Sequence, residues 1–255
     1  MSAASKVPST AGSGVPKSSK ARSSSPVLSG YLFLYNGVSF ALWGYILLSA
    51  IRLLATKYVL GDTTIQVSSI YAILFPTLLW TQTLAVLEVI HSLLGLVRAS
   101  FMTTLMQVAS RLFVVWPVLF CFGSHGYFIE TIGENKAITK SDGLGSYAFV
   151  GCIIAWGITE CVRYSFFCIQ VAGAQTPALI QWLRYNMFFV LYPVGIASEC
   201  TLTYLALGPA RQVHDLFAGL FVVVLLIYVP GSYVLYTHMM SQRRKVMRKQ
   251  HQKTQ

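Results

Sequence analysis

The sequence predicts an all-α fold, an integral membrane bundle of six transmembrane helices. Three observations carry that prediction. Of 255 residues, 55% are apolar and only 11% are charged, and the mean hydropathy is +0.61. A soluble domain carries about 25% charged residues, so this chain lacks the side chains to cover a water-facing surface. The apolar residues also gather into six stretches, roughly 29–53, 68–96, 100–121, 146–169, 180–206 and 214–239. Each can supply the ~20 helical residues that cross a hydrocarbon core about 30 Å thick. Finally, basic residues concentrate at the two ends. Lys6, Lys17, Lys20 and Arg22 precede the first stretch, and Arg243, Arg244, Lys245, Arg248, Lys249 and Lys253 follow the last. Basic residues flanking spans set orientation, which accounts for the net charge of +11 without a nucleic-acid partner.

Residues 1–27 are rich in Ser, Ala, Pro, Gly and Lys and lack apolar periodicity, the pattern of a disordered tail. They contain no apolar core of a cleavable signal peptide. Residues 28–240 then form the membrane domain, and 241–255 a second basic tail. The second and third stretches are separated by a few residues around Arg98, which predicts a tight helical hairpin. The longest connection, 122–145, mixes Glu130, Glu134 and Asp142 with Lys136 and Lys140. An even number of spans puts both tails on one side, and their basic character assigns that side to the cytosol. The loops at Arg98 and near 170–179 then face the cytosol too. The five cysteines, Cys121, Cys152, Cys161, Cys168 and Cys200, lie in or at the end of apolar stretches and form no C-x-x-C pair. They read as small packing residues, not as a disulfide framework or a zinc site.

Ionisable residues inside spans are expensive and point to structure or function. Here they are Glu88, His91, Arg111, Glu160, Arg163, Arg184 and Glu199, joined by the phenols Tyr185 and Tyr192. In the fifth stretch, Tyr185, Tyr192 and Glu199 are spaced by seven. Seven residues turn a helix through about 700°, which puts all three on nearly one face, about 10.5 Å apart per step. Tyr192 and Glu199 are then aligned without touching, with room between them for a substrate. Pro193 removes a backbone hydrogen bond beside them and predicts a kink. Counted from the cytosolic ends, Glu88, Arg111, Glu160 and Tyr192 lie at similar depth, so Arg111 can pair with Glu88 or Glu160. Arg98, Arg163 and Arg184 lie nearer the cytosolic ends, either as orientation anchors or as a cationic mouth for a phosphate-bearing head group.

The remaining chemistry is narrow. His91, His125, His214, His238 and His251 are isolated and make no His-x-x-His-His box. No dinucleotide-binding glycine motif and no G-x-S-x-G elbow is present. What is left is an acid–base set inside a bundle, suited to elimination, isomerisation or proton-coupled transport.

Three segments carry a family resemblance. Leu87-Glu88-Val89-Ile90-His91-Ser92-Leu93-Leu94-Gly95-Leu96-Val97-Arg98-Ala99-Ser100 and Thr103-Thr104-Leu105-Met106-Gln107-Val108-Ala109-Ser110-Arg111-Leu112 are similar to the second-to-third span hairpin of the eukaryotic 3-hydroxyacyl-CoA dehydratases, the protein tyrosine phosphatase-like A family. Arg184-Tyr185, followed by Leu191-Tyr192-Pro193-Val194-Gly195 and Glu199, resembles that family's active-site span. The resemblance covers roughly 29–240. It implies a six-span endoplasmic reticulum enzyme with cytosolic termini that removes water from a long or very long (3R)-3-hydroxyacyl-CoA, the third step of fatty acid elongation. It implies Tyr192 and Glu199 as the catalytic pair, with Glu88, Gln107, Arg111 and Arg184 at recurrent polar positions. Arg98, Arg163, Glu160 and Tyr185 are the further candidates for binding or support. The implied partners are the 3-hydroxyacyl-CoA substrate, the lipid bilayer and the other elongation enzymes: a condensing elongase, a 3-ketoacyl reductase and a 2-enoyl reductase. No metal or redox cofactor is indicated. The phosphatase in the family's name has no counterpart here, since no Cys-x5-Arg loop occurs. Two other readings fit parts of the pattern, a catalytically silent scaffold of the elongation complex and a small proton-coupled carrier.

Overall fold

The computed structural model describes residues 25–97, 99–123 and 143–252. The expectations for most of the N-terminal tail, for Arg98, for the charged connection at 124–142 and for Lys253 lie outside these residues. All regular structure among the described residues is helical: α1 (Pro26–Tyr58), α2 (Val67–Leu84), α3 (Val86–Leu93), α4 (Phe101–Phe113), a π-helical segment (Val114–Phe120), α5 (Leu144–Val171), α6 (Ala178–Asn186), α7 (Phe188–Leu205), α8 (Leu207–Val213) and α9 (Asp215–His251). Six units are long and apolar enough to cross a membrane: α1, α2 with α3, α4 with the π-helical segment, α5, α7 with α8, and α9. They fall in the six predicted stretches, in order.

Helix α1 starts where local chemistry dictates. Ser25 accepts the Leu28 N–H at 3.2 Å and Pro26 occupies the first turn, where a missing N–H is harmless. Its buried residues, Leu32, Asn36, Ser39, Trp43, Ile46 and Ala50, repeat at alternating spacings of four and three. That stripe is the seam of a helix packed against a neighbour. The neighbour is chiefly α5, which also packs against α2, α6 and α7 and so forms the centre of the bundle. Trp43 meets Trp156 of α5 edge to face, with ring centroids 6.4 Å apart. The core continues through Ile70, Leu74, Val118, Phe149 and Ile153. The outer surface remains apolar, with Leu48, Trp80, Leu226 and Val229 exposed; such a surface is at home in lipid, where helices satisfy their own backbone groups.

The connections follow their turn residues. Gly95 has φ +66°, and beyond it the Leu96 N–H reaches back to the His91 carbonyl at 2.9 Å. This left-handed C-terminal turn makes the hairpin between α3 and α4 as tight as the sequence predicts. Pro117 lies inside the π-helical segment, where the widened turn absorbs the missing donor.

The fifth stretch departs from expectation. The sequence predicts one span from 180, but α6 ends at Asn186 and α7 begins at Phe188, so Arg184 and Tyr185 stand on a separate short helix. The interruption falls at Met187, not at Pro193, which lies within α7. Helix α9 runs unbroken to His251, so most of the basic segment at 241–255 is helical. Residues 241–251 contain Gln, Arg, Lys and Met and no Pro or Gly, a composition that favours helix continuation.

Candidate active site

Glu199 lies on the inward face of α7 and is only 7% exposed. Its position follows from how closely α7 approaches α5. Gly151 of α5 faces Ser198, and a Cβ there would sit 2.7 Å from the Ser198 hydroxyl. Glycine leaves room for the Ser198 hydroxyl at this approach, and the next turn of α5 lies against Glu199. The Trp156 indole N–H donates to Glu199 Oε1 at 2.8 Å. From the other side the Tyr228 hydroxyl of α9 donates to Oε2, also at 2.8 Å. Each carboxyl oxygen thus accepts one hydrogen bond from a neutral donor.

Tyr192 stands two turns before Glu199 on α7. Its hydroxyl donates to the Ser232 backbone carbonyl of α9 at 3.0 Å, and its ring lies 5.9 Å from that of Tyr236. Tyr192 and Glu199 therefore both face α9, at sites one turn apart on that helix. No hydrogen bond joins them. Tyr185 is half-buried on α6.

A second polar cluster lies across α5. Arg163 binds Glu88 with two parallel hydrogen bonds, both at 2.7 Å, and donates its Nε to Glu160 Oε2 at 2.8 Å. Arg111 of α4 closes the chain by pairing with the other Glu160 oxygen. Tyr164 donates to Glu88, and Tyr35 reaches the same carboxylate at 3.4 Å. Beside it, His91 shares a 2.8 Å hydrogen bond with Tyr31. Two guanidinium groups thus neutralise two carboxylates within the bundle, which is what intramembrane charges require. The clusters meet at Trp156, whose ring lies under the Arg111 guanidinium at 5.2 Å while its N–H holds Glu199. Among the described residues, Glu199 is the buried carboxyl with no cation on it.

The other candidates are placed as follows. Arg163, expected near the cytosolic mouth, is engaged by Glu88 and Glu160 inside the bundle. The Arg184 guanidinium packs over Phe166 and Phe167 of α5 at 4.3 and 4.8 Å. Gln107 is exposed on α4. Sequence reasoning missed Trp156 and Tyr228. A signal existed for Trp156, which precedes Glu160 by one helical turn. Tyr228 offered less, a lone phenol in the apolar run before Pro230.

The fold and the site define a class: a multi-span helical membrane protein with a buried carboxyl and an arginine–carboxylate cluster between its spans. The chain belongs to the family described as Protein tyrosine phosphatase-like protein, PTPLA, which it matches over residues 82–249, a range containing Tyr192, Glu199 and the arginine–carboxylate chain. It is 39% identical over 219 residues to the probable very-long-chain (3R)-3-hydroxyacyl-CoA dehydratase of Schizosaccharomyces pombe, covering 86% of this chain and 93% of that protein. It is 36% identical over 235 residues to the very-long-chain (3R)-3-hydroxyacyl-CoA dehydratase PASTICCINO 2 of Arabidopsis thaliana, with the same coverage of 86% and 93%. Identity to the Homo sapiens very-long-chain (3R)-3-hydroxyacyl-CoA dehydratase 2 is 32% over 236 residues, covering 87% and 82%. No solved structure matches the chain.

Proposed function

We propose that this protein removes water from a long or very long (3R)-3-hydroxyacyl-CoA to give the trans-2-enoyl-CoA, with Glu199 and Tyr192 dividing the proton transfers. Family membership and the activity for which the relatives are named support the reaction. The observation that carries the site is Glu199, a buried carboxyl held by two neutral donors while every neighbouring carboxylate is neutralised by arginine. Its proton-transfer capacity is not committed to an ion pair.

The elimination breaks the C2–H and C3–O bonds and forms the C2–C3 double bond. One group takes the C2 proton, which the thioester acidifies. The other gives a proton to the departing C3 hydroxyl, so that water leaves instead of hydroxide. Trp156 and Tyr228 fix the Glu199 carboxyl, and Tyr192 has a rotatable hydroxyl two turns away on the same wall. The acyl tail lies among apolar spans. The arginine–carboxylate chain behind Trp156 keeps α3, α4 and α5 in register and does not itself exchange protons with substrate.

The test is conversion of 3-hydroxypalmitoyl-CoA by the purified protein beside Tyr192→Phe and Glu199→Gln. Positioned acid and base groups contribute about 10²–10⁴-fold each, and losses of that size are expected in both folded variants. Activity that survived both changes would move the active site elsewhere, and no product from folded wild type at several chain lengths would favour the scaffold reading.

The same proposal places the protein in the endoplasmic reticulum membrane, among the enzymes of fatty acid elongation, with both termini in the cytosol. Basic residues at both ends support that orientation. Epitopes at either end should be protease-accessible in sealed microsomes without detergent; protection of one of them would reverse the assignment.

A further inference from the structure

A groove of about 410 Å³ lies between α6 and the C-terminal end of α9, lined by Ala178, Leu179, Gln181, Trp182 and Met247. Trp182 is 57% exposed, so its ring is open to a ligand. Arg243 and Arg244 stand one turn before Met247, and Arg248 follows it. Arg243 braces the two elements, donating its Nε to Asn186 Oδ1 at 3.0 Å and lying 5.3 Å over the Phe189 ring. Arg244 and Arg248 are exposed. The groove thus offers a free aromatic face, an amide and a cationic rim.

Its distance from the candidate site is telling. Tyr192 touches α9 at Ser232, fifteen residues before Met247, and fifteen residues of helix rise about 22 Å. The chain from the sulfur of coenzyme A to its first phosphorus has thirteen bonds, about as many as four to five peptide residues, and extends roughly 15 Å. The reacting carbons lie beyond the sulfur on one side, the second phosphate and the adenosine beyond the first phosphorus on the other. A thioester reacting beside Tyr192, with its pantetheine arm along α9, would lay its nucleotide end in this groove.

We propose that the groove between α6 and the end of α9 binds the nucleotide end of coenzyme A, with the adenine stacked on Trp182 and the phosphates met by Arg244 and Arg248. The assignment rests on the acyl-CoA reading above. It differs from the mouth expected from Arg98, Arg163 and Arg184: Arg98 lies outside the described residues, and the guanidinium groups of the other two pack on Glu88 and Glu160 and on Phe166 and Phe167. Base–aromatic stacking and charge-assisted phosphate contacts both discriminate a nucleotide from an apolar filler.

Free coenzyme A and 4′-phosphopantetheine, which lacks the adenosine, are titrated against the full chain in zwitterionic nanodiscs. Trp182→Ala, the pair Arg244→Gln/Arg248→Gln and the control Arg211→Gln on α8 are measured beside wild type. The proposal expects the coenzyme A Kd to rise about fivefold or more in Trp182→Ala and ~10-fold in the double variant. Phosphopantetheine should lose little with Trp182→Ala, Arg211→Gln should match wild type, and KM for the hydroxyacyl-CoA should rise more than kcat falls. Wild-type coenzyme A affinity in both groove variants overturns the proposal, whether or not the protein dehydrates its substrate. So does an effect of the arginine changes confined to nanodiscs containing anionic lipid, which would assign the rim to lipid head groups. Selective loss of coenzyme A binding without dehydration by wild type would leave the groove standing and remove the dehydratase.

Discussion

At the scale of single residues, the polar interior divides into a neutralised part and a free part. Glu88, Arg163, Glu160 and Arg111 balance one another in charge, and Glu199 stands outside that balance on Trp156 and Tyr228. Removing one member of a buried pair is far more damaging than removing both, because it strands the other charge. Arg163→Met leaves Glu88 without its cation and should destabilise the protein by about 3–5 kcal/mol, read as a lowered unfolding midpoint in detergent. Adding Glu88→Gln should restore part of that loss, and a double-mutant cycle measures the coupling. Additive losses would show that the bidentate pair contributes nothing beyond its separate parts. The sequence exposed the costly residues but only some of their partners. Depth left Arg111 a choice between Glu88 and Glu160, because depth says nothing about rotation around a helix axis. Arg163 takes both Glu88 oxygens, and Arg111 is left with Glu160. Tyr228 was illegible for the same reason: nothing in the run around it shows that this phenol turns toward α7.

At the scale of elements, spans were easy to read and their interruptions were not. Length and apolarity suffice to find a helix that crosses a bilayer. The breaks at Ala85, Met187 and Ala206 keep right-handed helical dihedrals, with φ between −64° and −74° and ψ between −11° and −20°. They interrupt the helical pattern while the backbone stays in the right-handed helical region, so no glycine or proline marks the position itself. The π-helical segment after α4 was equally hidden, although Pro117 hints at disturbed hydrogen bonding. Its geometry has a specific support, the Tyr71 hydroxyl, which donates to the Leu119 carbonyl at 2.7 Å in a buried setting. Tyr71→Phe leaves that carbonyl without its side-chain donor and should cost about 1–3 kcal/mol, again read from thermal unfolding. An unchanged midpoint would mean that the π-helical turn holds itself.

At the scale of the whole molecule, α5 is the hub and α9 is the outlier. Helix α5 packs against α1, α2, α6 and α7 and carries Trp156, Glu160, Arg163 and Tyr164, so one rigid element sets the register of both polar clusters. Helix α9 is the least buried of the six spans, yet it supplies Tyr228 and Ser232 to the candidate site. It has 37 residues and so extends about 55 Å, well beyond a hydrocarbon core of about 30 Å. Apolar side chains along the α7–α9 seam, among them Val190, Val194, Val229 and Tyr233, are exposed within one turn of Tyr192 or of its partner Ser232.

That exposed seam bears on how substrate is counted. A fatty acyl chain reaching Tyr192 sideways from the bilayer approaches by diffusion in two dimensions, and the relevant concentration is its mole fraction among surrounding lipids. Adding inert phospholipid at constant total substrate should then slow turnover in proportion to the dilution, as measured in proteoliposomes of increasing lipid-to-protein ratio. A rate that followed only the amount in bulk water would mean that the acyl chain does not arrive through the bilayer.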